Sequence, residues 1–127
     1  MVTVIIGVLV SLAIPQYLKT VERARMTEAT LVLGQLRSAQ IRYRAQTGKY
    51  ANKLGNLDFS SADLSGTPVF EYLDPVTDPL GAVYDLRARR KGSDEGAPGL
   101  PTDCAEDYVL HMDQTGTLSG QDCQLAQ

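Results

Sequence analysis

The chain has 127 residues, 43% hydrophobic and 21% charged, with a net charge of −3 at pH 7; its length and composition are those of one ordinary folded domain. The charge is unevenly divided: residues 1–48 hold six basic side chains (Lys19, Arg23, Arg25, Arg37, Arg42, Arg44) and two acidic ones (Glu22, Glu28), a net +4, so residues 49–127 carry −7. Arginines strung along one segment give no support to nucleic-acid binding, whereas a basic stalk and an acidic head could complement each other between subunits.

The first element begins with VTVIIGVLVSLAI, Val2 to Ile14, roughly 13 residues without a charge. As a helix rising ~1.5 Å per residue it reaches about 20 Å, short of a hydrocarbon core about 30 Å thick. Ser11-Leu12-Ala13 loosely matches a small-x-small cleavage site, but the basic segment that precedes the apolar stretch of a secretory signal is missing. The helical pattern also continues. Leu18, Val21, Ala24, Ala29, Val32, Leu36, Ala39 and Tyr43 recur mostly at three- and four-residue steps, with Arg23, Thr27, Thr30, Gly34, Arg37, Ser38 and Arg44 toward the opposite side. Gly48 supplies a left-handed stop, and Pro15 predicts a kink rather than an end. One helix over Val2–Thr47 would be about 69 Å long, against a diameter of about 36 Å for a compact domain of this size. Half of it must protrude. Leu18 to Tyr43 carries one apolar stripe suited to packing on a domain; Val2 to Ile14 is apolar all round and needs lipid, detergent or a bundle of its own kind.

The stretch VIIGVLVSLAIPQYLKTVERARMTEA, with Gly7 eight residues before Pro15, the Ile14-Pro15-Gln16-Tyr17 sequence and a charged amphipathic continuation, resembles the N-terminal helix of type IV pilins and the related type II secretion pseudopilins. The resemblance implies an α+β fold, a long N-terminal helix packed on a small antiparallel sheet. It divides the chain into a protruding assembly or membrane helix (1–17), an amphipathic packed helix (18–48) and a sheet head with a C-terminal disulfide loop (49–127). In that family the mature helix starts about seven residues further upstream, at a methylated phenylalanine with a glutamate near it, for which this chain has no matching positions. About seven more apolar residues would restore the ~20 of a membrane span. The helix-bundle contacts would come from Val2, Val4, Ile5, Ile6, Val8, Leu9, Val10, Leu12 and Ile14. Gly7 costs about 1 kcal/mol relative to Ala in a helix interior, and Pro15 removes a donor and crowds the Ser11 carbonyl. These two would bracket a stretch that melts in the filament, as it does in related pilins.

Beyond Gly48, TGKYANKLGNLDF reads as a connection in which Tyr50, Leu54 and Leu57 tack the chain back onto the helix. Val69–Leu73 and Ala82–Ala88 have strand composition, with Phe70 and Tyr72, then Tyr84, Leu86 and Ala88, on one face and Asp85, Arg87 and Arg89 on the other. Asp107–Met112 alternates as well, aligning Tyr108, Leu110 and Met112, and DQTG makes a hairpin into Thr117-Leu118. Short connections predict an antiparallel meander whose apolar side packs on the helix. Arg90 to Asp103, rich in Gly and Pro, reads as a flexible exposed loop. Asp58, Asp63, Asp74 and Asp78 fall in expected turns.

Cys104 and Cys123 lack metal-ligand spacing, so no metal and no cofactor is expected. Many type IV pilins close a C-terminal loop with one disulfide, and the resemblance implies a Cys104–Cys123 bond; two free thiols are the alternative in a cytosolic protein. His111, the single histidine, reads as an exposed strand residue, and no nucleophile motif or phosphate loop accompanies it, so no enzyme is expected. DPVTDPLGAVYDL also resembles, through Asp78, Pro79, Gly81 and Tyr84, a segment of major pseudopilins, which bind calcium in a C-terminal loop. The expected function is a homo-oligomeric filament subunit, held in the inner membrane before assembly and then extracellular on a bacterial surface, with motor and platform proteins as partners. A major pseudopilin of a secretion system and a membrane-anchored binding module that never polymerises are the alternatives. The positive flank Lys19, Arg23 and Arg25 would by itself favour the cytoplasmic side; the resemblance and the cysteines favour the outside.

Overall fold

A computed structural model describes residues 2–59, 64, 69–92, 99–101 and 104–123. Among these residues, the helix α1 (Val2–Thr47, 46 residues) is followed by a 3-10 turn (Leu54–Asn56) and the strands β1 (Phe70–Thr77), β2 (Tyr84–Arg90), β3 (Cys104–Asp113) and β4 (Leu118–Cys123). The strands form one antiparallel sheet in the order β1-β2-β3-β4. This is the α+β arrangement anticipated above, and α1 has the anticipated bounds. It ends where Gly48 adopts φ +80° and donates its N–H to the Arg44 carbonyl at 2.8 Å. Only glycine enters that conformation without a side-chain penalty.

The sheet buries one side of each strand: Phe70 and Tyr72, Tyr84, Leu86 and Ala88, then Tyr108, Leu110 and Met112. Phe70 and Tyr108 meet edge to face with centroids 6.0 Å apart. Pro75 interrupts β1 at a register shift between Leu73 and Val76; β1 is an edge strand, where a missing N–H is tolerated. Asp113-Gln114-Thr115-Gly116 makes the expected hairpin, with Gly116 at φ +87° and the Asp113 carboxylate accepting the Thr115 and Thr117 N–H groups at 2.9 and 3.0 Å.

The helix stripe that meets this sheet differs from the expected one. Its buried members are Glu22, Met26, Ala29, Leu33 and Leu36, at a 4-3-4-3 spacing, followed by the adjacent pair Ala39 and Gln40; Leu33 and Leu36 lie against the sheet and a polar side chain stands at each end. Leu18 and Ala24, counted in the expected stripe, are exposed. Gln40 is fully buried and satisfied from both sides, its amide donating to the Ala51 carbonyl and accepting the Ala51 N–H, each at 2.8 Å. That pair holds the chain leaving α1 against the helix. Tyr50 then packs edge-on against Tyr84 at 4.5 Å, and Leu57 is buried, as the connecting segment predicts.

Two further expectations are corrected. Asp74 lies in β1 rather than in a turn, its Oδ1 accepting the Leu54 N–H at 2.9 Å. Arg90 is not the start of an exposed loop: it is the last residue of β2 and fully buried, and Gly92 and Pro101 are buried too. Residues 93–98 and 102–103 of that predicted loop, and Asp63, lie outside the described residues.

Candidate functional site

The protruding half of α1 presents an exposed apolar surface. Val4 is 68% exposed and Leu9 63%, while Leu33, two to three dozen residues along the same helix, is 0% exposed. Ile5, Ile6, Val8, Val10 and Ile14 are exposed as well, which covers the proposed bundle contacts apart from Val2 and Leu12, whose side chains are not described. The backbone remains helical through Gly7 and Pro15 in the isolated chain. Ser11 hydrogen-bonds the Val8 carbonyl at 2.8 Å, and a Cβ at position 7 would meet nothing within 4 Å. By length and composition this helix can cross a membrane.

At the neck, where the helix reaches the head, a buried charge cluster fixes it. The Glu22 carboxylate takes Arg90 Nε at 2.7 Å and Nη2 at 3.3 Å, Arg25 Nη1 at 3.1 Å, and the Tyr108 hydroxyl at 2.7 Å. Arg90 Nη1 also donates to the Lys91 carbonyl at 2.7 Å. Glu22 and Arg90 are both 0% exposed. A carboxylate removed from water is tolerated only with such a full set of donors. Burial, then the hydrogen bond to Glu22, pushes the Tyr108 phenol well above its ordinary range. Farther along, Arg37 reaches the Gln114 carbonyl at 3.3 Å and so ties the helix to the β3–β4 turn.

Cys104 and Cys123 form a disulfide, as implied above, and they are register partners at the end of the β3–β4 hairpin. Closing a loop of this length stabilises by roughly 3 kcal/mol on the chain-entropy model.

Asp78 Oδ1 accepts the Ala82 and Val83 N–H groups at 2.6 and 2.9 Å, and the Val83 bond leads in holding its carboxyl below the usual range. The Asp78–Tyr84 segment is thus a capped turn, with Gly81 at φ +65°. No group of three or more metal-ligating side chains occurs among the described residues. A cleft of about 470 Å³ opens nearby between Tyr43, Thr47, Lys49, Tyr50 and Asp78. His111 is half-buried rather than exposed; its Nδ1 lies 2.7 Å from Asp85 Oδ2, so Nδ1 carries the hydrogen, and its Nε2 has no hydrogen-bond partner among the described residues.

The arrangement, a long N-terminal helix on a small antiparallel sheet with a disulfide, is compatible with a pilin-like fold. Comparison with protein-family models, curated proteins and solved structures gives no match to this chain.

Proposed function

We propose that this chain is the structural subunit of a type IV pilus-like extracellular filament, anchored in the inner membrane before assembly and polymerising through the protruding half of α1. The observation that carries this reading is one unbroken helix with two surroundings: its second half is the core of the head, and its first half offers apolar side chains all round to solvent. Water does not tolerate that surface on a monomer, and lipid and a helical bundle are the two environments that do. The disulfide favours an oxidising compartment. Leu31, 66% exposed on the face of α1 turned from the sheet, extends the apolar surface alongside the head. In the filament, the stretch from Gly7 to Pro15 would partly unwind, since Pro15 gives the Ser11 carbonyl no donor and neighbouring helices can re-satisfy freed groups.

Fibres sheared from cells expressing the full-length protein are the test. Surface fibres composed of this chain are expected. A short periplasmic assembly would favour the pseudopilin role, and a strictly monomeric membrane protein would leave only an anchored binding module.

A further inference from the structure

Coming from its free end, α1 meets the head at Glu22: among the described side chains, none before it is buried. From Glu22 back to Val2 the helix is a lever about 30 Å long. A tilt of about 10° at its base moves the far end by about 5 Å, half the 8–10 Å that separates packed helices. Met26, Ala29, Leu33 and Leu36, which seat the packed half, are apolar. Apolar burial is non-directional, and helices packed by it scatter by about 15–20° around their preferred angles. The base of the lever is held differently. Arg90 closes β2 and Tyr108 stands in β3, so the Glu22 carboxylate is gripped from two strands, by Arg90 Nε and Nη2 at 2.7 and 3.3 Å and by the Tyr108 hydroxyl at 2.7 Å. Two-pronged charge-assisted bonds carry direction as well as energy. The sheet is irregular where it makes this grip: Asp107, beside Tyr108, has φ +62°, and the β3–β4 register shifts between Cys104 and Val109. A left-handed backbone at a non-glycine residue persists only where its surroundings hold it. A second polar tie to the sheet, Arg37 to the Gln114 carbonyl at 3.3 Å, lies about 22 Å farther along the helix. Two ties that far apart define an axis.

We infer that Glu22, Arg90 and Tyr108 are positioning residues, which set the direction in which the protruding half of α1 leaves the head. Glu22 and Arg90 are both 0% exposed. A buried ion pair replaced by apolar side chains of similar volume often leaves a protein as stable or more so, and net stability therefore does not account for a carboxylate kept at this place. Direction does. The consequence for assembly rests on the filament reading proposed above: neighbouring helices pack in one register only when each leaves its head at the same angle.

The full-length protein in detergent is spin-labelled at Ser11→Cys on the stalk and Ser119→Cys on the head, both exposed positions, with Cys104 and Cys123 left bonded. Pulsed dipolar spectroscopy then reads the distance between the two labels, and one narrow distance is expected. In the triple variant Glu22→Met, Arg90→Met, Tyr108→Phe the head should melt within about 5 °C of the parent. Its label distance should spread by about 5 Å or more, and ordered filaments should be lost. Arg90→Lys keeps the charge but not the two-pronged fork, and should give an intermediate spread. A folded triple variant with the parent's narrow distance overturns the inference. If the triple variant does not fold, Arg90→Lys decides: a spread distance on a folded head supports the positioning role, and the parent's distance overturns it. A spread distance with unchanged filament yield overturns the role in assembly. A parent with one narrow distance that forms no filaments overturns the filament reading and leaves the positioning role standing.

Discussion

Residues 4–14 and 22–40 belong to one helix with similar local geometry, yet they are opposite kinds of surface. In the second segment every third or fourth side chain is buried against the sheet, and the polar members Glu22 and Gln40 have found partners. In the first, isoleucines, valines and leucines of the same intrinsic character are left in the open. The difference lies in the surroundings, not in helix preference. None of the described side chains of residues 4–14 is buried against the head, so the apolar character of that segment has to be explained by something outside the molecule.

That contrast makes stability and assembly separable. The largest effect on stability is expected at the neck. Arg90→Ala strips the buried Glu22 of its two-bond partner, and removing one member of a buried pair costs about 3–5 kcal/mol. Denaturant unfolding of the purified variant would measure it; a loss below 1 kcal/mol would mean that Glu22 is not held as described. Next come matched truncations on the two halves. Leu33→Ala should cost about 2–5 kcal/mol, whereas Leu9→Ala should change the unfolding free energy by less than about 0.5 kcal/mol. Equal costs would erase the distinction between the halves.

The smallest effects are those of pH, and all of them fall on the packed side. Tyr108 is held neutral in the fold while an unfolded tyrosine ionises near pH 10, so its share of stability is complete below about pH 10 and is lost progressively above it. Asp113 is held below the usual carboxylate range, first by the Thr115 hydroxyl, and Asp78 by the Val83 N–H. Their contributions are present above about pH 4 and decline as the pH falls further. Melting temperature followed from pH 2 to 12 should therefore drop at both ends, with Tyr108→Phe removing part of the alkaline fall.

Much of this architecture can be read from local pattern. Gly48 ends α1, the alternation of β2 and β3 assigns their faces, and DQTG turns the hairpin. What escaped is non-local. Glu22 and Arg90 are 68 residues apart, and a charge in a helix or in the middle of an Arg-Arg-Lys run carries no local sign of burial. Read locally, Glu22 falls outside the expected stripe, which runs through Leu18 and Ala24 instead of Met26 and Leu33, and Arg90 reads as the start of a loop. Gln40 escaped for the same reason, since its partner is a backbone amide supplied by the returning chain. His111 looked exposed because its partner, Asp85, lies on a neighbouring strand.

The central claim, that the exposed half of α1 is the assembly element and the packed half the fold element, is tested most directly by Leu9→Asp in the full-length protein. A charge there faces lipid or a neighbouring helix in any setting, at about 2.5–3.5 kcal/mol on insertion scales. Filament yield and the thermal unfolding of the head are measured on the same variant. The account predicts that filaments are lost while the head unfolds at its usual temperature. Normal filament yield, or a head destabilised as much as by Leu33→Ala, would contradict it.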